Sequence, residues 1–201
     1  MERQIIISIG REFGSGGHAI AEIIAKDLGI NMYDRNMLDE IAREKGIDVD
    51  SLHRFDEKPR NPFLSRSVRG YSSSMEENLA QLQFEFIKGK AASGESFVIV
   101  GRCAEHVLKD SDSVISIFVL GDKQEKIARV KAKYDLDREE ALTKMTRHDK
   151  KRKAYHNSYS DSKWGDSRGY DLCVNSSRLG VEGTAKFIES YIEFRKNNMD
   201  V

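Results

Sequence analysis

The sequence predicts an α/β domain: a parallel sheet with helices packed on its faces. Three observations carry this expectation. Short apolar runs rich in β-branched residues recur at residues 5–9, 97–100 and 114–120, without the polar alternation of a half-exposed strand. Segments with apolar residues at helical spacing lie between them. Strands and helices alternate along the whole chain instead of clustering by type, which is how a sheet built through helical crossovers reads.

The elements follow in order. Ile5, Ile6, Ile7, Ser8 and Ile9 form the first buried strand, and a glycine-rich turn at residues 10–17 follows it. Ala19, Ile20, Ile23, Ile24 and Leu28 recur at helical spacing, and Gly29 sits where a C-terminal cap belongs. Residues 30–33 make a brief second strand, and Met37, Leu38, Ile41 and Ala42 mark a short helix ending at Gly46. From His53 to Ser74 periodicity disappears, and with Pro59, Pro62 and a serine run the stretch reads as a mobile connection. Met75, Leu79, Leu82, Phe86 and Ile87 give a helical stripe, read as core with a homo-oligomer contact as the alternative. After the strand at 97–100 come a short helix at 103–108, the strand at 114–120, and helical stretches near 123–133 and 138–146. Residues 148–170 are polar and aperiodic. Strand character resumes at 171–174, and an amphipathic helix at 181–194 closes the chain.

Composition narrows the class. The 201 residues suggest a single domain spanning 1–201, long enough to bury about 70% of its unfolded surface. Thirty-three Lys and Arg balance 33 Asp and Glu, which argues against a nucleic acid polymer as partner, since such proteins usually carry a basic excess. Hydrophobic residues make up 39% and charged residues 33%, a folded composition and not a disordered one. No run approaches about 18 uncharged apolar residues, so no membrane span is expected. Glu2 and Arg3 precede only a short apolar run, so no signal peptide is read. Cys103 and Cys173 make neither a disulfide framework nor a metal-ligand spacing, and the expected compartment is the reducing cytoplasm.

The first chemistry-bearing feature is the loop Gly14-Ser15-Gly16-Gly17 between a buried strand and a helix. Successive glycine amides can turn inward as an anion nest, and the helix beginning near His18 adds the positive end of its dipole. The site suits a phosphate; the alternative is a tight turn without a ligand. The loop departs from the G-x-x-x-x-G-K-[ST] pattern. With Gly16 as second glycine, the first falls on Arg11, the lysine on Gly17 and the hydroxyl on His18. Arg11 can supply the lost charge from the other side of the loop; the alternative is a surface arginine paired with Glu12. A dinucleotide-binding reading is weaker, because there is no clean G-x-G-x-x-G, although Asp34 stands where a ribose partner belongs.

The second feature is hidden by electroneutrality. Lys144, Arg147, Lys150, Lys151, Arg152 and Lys153 are opposed only by Asp149 in that stretch. A basic segment suits closure over a polyphosphate, since the arginine fork matches phosphate oxygens and closure excludes water. The alternative is a solvated helix end. The third feature is placement. The glycine loop, Asp34-Arg35, Gly101-Arg102 and Asn175-Ser176-Ser177 all fall at the carboxyl ends of strands, where ligands gather on open parallel sheets. Arg102 has Glu105 as an alternative structural partner, and Asp34, Asn175 and Ser177 have helix capping as theirs.

These residues together resemble the cytidylate kinase-like proteins, a divergent branch of the P-loop nucleoside monophosphate kinases. The resemblance rests on residues 5–9 with Gly10-Arg11-Glu12-Phe13-Gly14-Ser15-Gly16-Gly17, on Tyr33-Asp34-Arg35, and on residues 98–104. It extends to Lys163-Trp164-Gly165 and residues 171–180, in the expected order over almost the whole chain. It implies a three-layer P-loop NTPase-like α/β fold with a parallel, five-stranded sheet and a basic, arginine-bearing lid, here the mobile segment 144–170.

The resemblance also implies an activity: ATP- and Mg2+-dependent phosphoryl transfer to a nucleoside monophosphate, with CMP or dCMP favoured. Gly14, Ser15, Gly16, Gly17 and His18 would bind the donor phosphates. Arg11, Arg129, Arg147 and Arg152 would neutralise the transferring group, and Asp34, Arg35, Arg102 and Asp149 would bind the acceptor. Departures from the family pattern leave two alternatives open. The loop lysine and hydroxyl are absent, Cys103 replaces the acid after Gly101-Arg102, and Asp34 is followed by Arg35-Asn36 instead of Thr-Gly. One alternative is a non-catalytic nucleotide-binding or regulatory protein with a degenerate loop; the other is a kinase of another small phosphoacceptor.

Overall fold

The computed structural model describes residues 3–56, 67–68, 71–72 and 74–198. The elements run β1 (Ile6–Arg11), α1 (Gly17–Leu28), β2 (Asn31–Tyr33), α2 (Met37–Lys45), α3 (Val49–Phe55), a two-residue hairpin β3 (Ser67–Val68) and β4 (Tyr71–Ser72), and α4 (Met75–Ala92). They continue through β5 (Phe97–Val100), α5 (Ala104–Val107), β6 (Val114–Leu120), α6 (Lys123–Tyr134), α7 (Arg138–Tyr159), a 3₁₀ turn at Ser167–Gly169, β7 (Leu172–Asn175) and α8 (Gly180–Asn197). The main sheet has five strands in the order β2-β5-β1-β6-β7, and every pairing is parallel.

The central strand explains the layers. β1 is covered on both faces, so successive isoleucines point into two different cores. Ile5, Ile7 and Ile9 pack with Val98, Val100, Ile115 and Ile117 of the neighbouring strands against Ile20 and Ile24 of α1 and Ile188 and Ile192 of α8. Ile6, with Phe97 and Ile99, packs on the other face against Met37, Leu38 and Ile41 of α2 and Leu79, Phe86 and Ile87 of α4. Helices, sheet, helices is the three-layer α/β arrangement that the sequence predicts. The α4 stripe is core from Leu79 onward: Leu79, Phe86 and Ile87 are buried within the chain with Ala80, whereas Met75 is exposed.

Two expectations are modified. The stretch from His53 to Ser74 begins inside α3 and carries the β3–β4 hairpin, while residues 57–66, 69–70 and 73 lie outside the described residues. The stretch at 148–170, read as aperiodic, is helical as far as Tyr159. α7 starts at a capping box in which Asp137 accepts from the Glu140 amide and Glu140 accepts from the Asp137 amide. Its inward face runs through Ala141, Met145, His148, Asp149, Arg152, Tyr155 and His156, at helical spacing but increasingly polar. Apolar periodicity therefore ends before the helix does.

Because the sheet is parallel, all its strands end on one edge. The polar segments after β1, β2, β5, β6 and β7 gather there, and the strand order diverges on either side of β1. That edge is the crevice where open α/β sheets bind ligands.

Candidate phosphate-binding site

The loop after β1 is shaped by Gly14 and Gly16, which hold φ of 83° and 82° in the left-handed region. A left-handed glycine on each side of Ser15 folds the loop into a tight turn, closed by the Ser15 amide donating to the Glu12 carbonyl at 3.3 Å. The 12-residue α1 begins at Gly17, whose amide donates to Ser15 Oγ at 3.3 Å, so the positive end of the helix lies directly behind the loop.

The loop is tied down at several points. Ser15 Oγ donates to the Glu12 carbonyl at 2.8 Å. Glu12 does not pair with Arg11; its Oε2 accepts from Lys126 Nζ at 2.8 Å and from the Gly121 amide at 3.1 Å. Arg129 Nη1 donates to the carbonyls of Gly14 (3.4 Å) and Ser15 (3.1 Å) and to Ser176 Oγ (3.1 Å). Ser176 Oγ itself donates to the Ser15 carbonyl. Asn175 Oδ1 accepts from the Ser177 amide, and Asn175 Nδ2 donates to Asp122 Oδ1, so this segment braces the loop and β6 and does not cap α8, whose N-cap is Leu179.

α7 docks directly on the loop. Phe13 stacks on His148 with centroids 4.3 Å apart and planes at 11°, and on Tyr134 at 5.9 Å and 19°. Arg152 lies 5.4 Å above the same ring, and its Nη1 donates to the Arg11 carbonyl at 3.4 Å. Asp149 Oδ1 accepts from the Phe13 amide at 2.7 Å. Burial pushes the Asp149 carboxyl above its ordinary pKa, opposed by the Phe13 amide and by Lys126 and Arg152.

Two cavities open on this edge. The larger, about 370 Å³, is lined by the loop from Arg11 to Ala19, except Ser15, and by Arg129, Tyr134, Arg152 and Val181 among others. The smaller, about 20 Å³, has room for little more than one water-sized group. It lies between the ends of β1 and β5 and α7, and Arg11, Arg102, Glu105, Arg152, His156 and Trp164 are among its walls. Trp164 is anchored edge-on against Phe118, with centroids 5.2 Å apart.

Around the smaller cavity Arg102 and Glu105 are paired within the protein. Gly101, Arg102 and Cys103 all have positive φ, at 81°, 63° and 53°. Two consecutive non-glycine residues held there, at the mouth of a cleft, carry backbone strain of the kind that clusters at functional sites. This turn drives Arg102 inward, where only 1% of its side chain is exposed and Nη2 lies 2.9 Å from Asp56 Oδ2. The same oxygen is 3.2 Å from Arg35 Nε. Asp56 Oδ1 accepts from Gln83 Nε2 at 3.1 Å, and Gln83 Oε1 accepts from Tyr155 OH at 3.2 Å. Glu105 does not pair with Arg102; it bridges Ser8 Oγ (3.1 Å) and His156 Nε2 (2.7 Å).

His18 and Asp34 form the remaining link. His18 Nε2 lies 2.7 Å from Asp34 Oδ2, and Nδ1 lies 3.6 Å from Glu22. The hydrogen bond to Asp34 raises the His18 pKa against the opposing effect of burial, and the same bond lowers Asp34 to about 2. Asp34 Oδ1 also accepts from the Asn36 amide in a local turn, but the N-cap of α2 is Asn36, so Asp34 does not cap that helix.

The residues singled out from sequence therefore sort by place. Arg11, Gly14, Gly16, Gly17, His18, Arg129 and Arg152 line the larger cavity, and Arg11, Arg102 and Arg152 line the smaller. Ser15 is buried within the loop. Asp34 and Arg35 line neither cavity, but Asp34 touches His18, and Arg35 shares Asp56 with Arg102. Asp149 is on the Phe13 amide of the loop, and Arg147 is on the exposed face of α7. Sequence reasoning missed Asp56, Gln83 and the Glu105–His156 pair. Only Glu105 carried a signal, its nearness to Arg102.

Residues 6–178 match the Cytidylate kinase-like family. The chain belongs to that family. It is 25% identical over 192 residues to a cytidylate kinase of Pyrococcus horikoshii, covering 94% of this chain and 89% of that protein. A cytidylate kinase of Methanococcus vannielii is 23% identical, covering 94% of this chain and all of that one. Among solved structures, an uncharacterized protein from Eubacterium ventriosum superposes with a TM-score of 0.76 at 41% identity, covering 94% of this chain and 99% of that one. A shikimate kinase from Bacteroides thetaiotaomicron superposes at 0.55 with 12% identity, over 94% and 98% of the two chains, and shares the fold. In this family member no helix among the described residues is long and apolar enough to cross a membrane.

Proposed function

We propose that this protein is a nucleotide kinase that transfers the γ-phosphoryl group of ATP to a nucleoside monophosphate, with CMP and dCMP the first acceptors to test. One observation carries the reading: Arg11 and Arg152 border both cavities. A phosphoryl group passing from a donor in the larger cavity to an acceptor in the smaller one would cross between two guanidinium groups. Phosphoryl transfer is catalysed mostly by positioning and by neutralising charge on the equatorial oxygens, and two arginines at the crossing supply that.

The donor side follows from the loop. Its amides and the head of α1 receive phosphate oxygens, and His18, whose pKa is raised by its hydrogen bond to Asp34, adds a positive charge at the start of the helix when it is protonated. Among the described residues no group of three or more His, Cys, Asp or Glu side chains is arranged to hold a metal. The reading therefore brings magnesium in on the phosphate oxygens of ATP. The narrowness of the inner cleft requires α7 and the Trp164 segment to shift outward when the acceptor binds, which gives the region 144–170 its role as a lid. The relatives named as cytidylate kinases, matched over 94% of the chain, support a pyrimidine monophosphate as acceptor.

A second reading, a nucleotide-binding regulator, is favoured by the absence of a loop lysine and by the Asp149 carboxylate already resting on the Phe13 amide. The test is ADP formation from ATP and magnesium against CMP, dCMP, UMP, AMP and GMP, with the product identified. Turnover of one or two acceptors establishes the kinase. Saturable ATP binding without turnover of any of the five sinks it in favour of the regulator or of a kinase of another small phosphoacceptor.

A further inference from the structure

We propose that Arg11 does the work of the missing loop lysine, reaching the β- and γ-phosphoryl groups from the end of β1 instead of from the start of α1. The inference rests on the kinase reading above and assigns one residue within it.

Two glycines show the exchange. A Cβ built on Gly17, the position where the lysine of the standard loop would stand, would lie 2.6 Å from the Arg11 Cβ and 3.2 Å from its Cγ. No side chain fits there while Arg11 is present, because the stem of Arg11 already fills the space. The guanidinium end of Arg11 crosses to the other side of the site and lies against Gly101, where a Cβ would overlap Nη1. Gly101 is therefore required twice, by this approach and by its φ of 81°. Arg11 runs from the start of α1 to the end of β5 and borders both cavities on the way.

The chemistry is that of a charge-stabilised displacement. An oxygen of the acceptor phosphate forms a bond to the γ-phosphorus while the bond from that phosphorus to the β–γ bridging oxygen breaks, and ADP leaves. Arg11 forms no covalent bond and gives up no proton. Its planar fork donates to the equatorial and bridging oxygens as charge builds on them, which a lysine does as a point charge. Arg152, anchored to the Arg11 carbonyl, stands beside it.

The exchange predicts that the cation can be moved back. Gly17→Lys alone is obstructed by Arg11, so the test pairs it with Arg11→Gly. ATP affinity is read by calorimetry and turnover with CMP and the other nucleoside monophosphates, with circular dichroism to confirm folding. Arg11→Gly is expected to lower kcat at least about 100-fold. Arg11→Gly/Gly17→Lys is expected to recover at least about tenfold of that loss, and added guanidinium ion is expected to raise the rate of Arg11→Gly but not of the wild type. Guanidinium rescue decides the matter if the double variant does not fold. Wild-type turnover that Arg11→Gly leaves within threefold overturns the assignment and leaves the kinase reading standing. Loss of turnover that neither lysine nor guanidinium restores overturns it as well, because Arg11 is then structural. If the wild type binds ATP without turnover, the kinase reading falls and Arg11 is judged by ATP affinity alone: a tenfold loss in Arg11→Gly supports its phosphate contact, and an unchanged affinity overturns it. A wild type that binds no ATP overturns both.

Discussion

Asp149 Oδ1 accepts a hydrogen bond from the Phe13 amide at 2.7 Å, so a carboxylate on α7 holds a backbone donor of the glycine loop. The contact joins two segments that are far apart in the chain. It places a negative charge next to a site shaped for anions, with Glu12 nearby adding to the strain of ionisation and Lys126 and Arg152 relieving it.

The sign of that strain gives the first prediction. The folded-state pKa of Asp149 is raised by burial, so its ionised form costs stability, and the cost grows as pH rises from the ordinary aspartate value through the raised one. Asp149→Asn keeps an oxygen acceptor for the Phe13 amide and removes the charge. It is expected to be at least as stable as the wild type at pH 7, and Asp149→Ala less stable by about 1 kcal/mol. Thermal melts at pH 4 and pH 7 check this, since the Asn variant's advantage should shrink at the lower pH. An Asn variant less stable than the Ala variant would refute it.

The second prediction separates two arginines on one carboxylate. Arg102 is almost wholly buried against Asp56, whereas 63% of the Arg35 side chain is exposed. Removing Arg102 strands a buried charge, with Gln83 and the exposed Arg35 left as its partners among the described residues. Arg102→Ala should cost about 3 kcal/mol. Arg35→Ala should cost less than about 1 kcal/mol, because an exposed ion pair is screened. Denaturant unfolding of the two variants settles the order, and equal losses would mean that Asp56 is held by other means.

These residues also mark what the sequence could disclose. β1, β5 and β6 were legible because a strand covered on both faces must be apolar throughout, and the loop was legible because its φ values demand glycines. The polar ends of the strands converge simply because the strands are parallel. Asp56 was not legible: it meets Arg102 across 46 residues of chain, from a segment without periodicity. The second half of α7 was missed for a different reason. Its inward face carries Asp149, Arg152 and His156, which dock by hydrogen bonds and ring contacts, and a search for apolar periodicity is blind to a helix buried on polar residues. The sequence offers Arg11 as a stand-in for the missing lysine, but not the contact between the Arg11 stem and Gly17 that leaves no room for a side chain at position 17.

The third prediction concerns His18 and Asp34. Asp34 raises the His18 pKa chiefly through their hydrogen bond, and His18 lowers Asp34 to about 2 by the same bond. The stabilisation from His18 is complete below its unfolded pKa of about 6.5 and is lost as pH rises through the raised folded value. That from Asp34 is complete above its unfolded value of about 3.9 and is lost as pH falls towards 2. The ion pair is therefore strongest between those limits. Titration of the His18 imidazole by NMR should give a midpoint above 6.5 in the wild type and a lower one in Asp34→Asn. A midpoint that does not move would show that Glu22 alone sets it. If His18 adds charge for the donor phosphates, ATP affinity should weaken as pH rises through the wild-type midpoint, and at a lower pH in the variant.

The fourth prediction concerns Arg152, the other guanidinium shared by both cavities. Its position is fixed by the Arg11 carbonyl and by the face of Phe13, which itself stacks with His148 and Tyr134. On the proposed kinase reading, a residue oriented in this way between the two cavities would act when charge spreads over the transferring group, not when ATP first binds. Arg152→Ala should therefore lower kcat by about 100-fold while changing the KM for ATP by only a few-fold. Arg152→Lys should recover little of the loss, because an ammonium cannot reproduce the planar fork or its packing over the ring. Steady-state kinetics with ATP varied at saturating acceptor distinguish the outcomes. A loss carried entirely by KM would place Arg152 on the bound donor instead, and unchanged kinetics would remove it from the transfer path. Because the Phe13 ring positions Arg152, Phe13→Leu should show a weaker version of the same kcat effect, since an aliphatic side chain keeps the bulk but not the aromatic face on which the guanidinium rests.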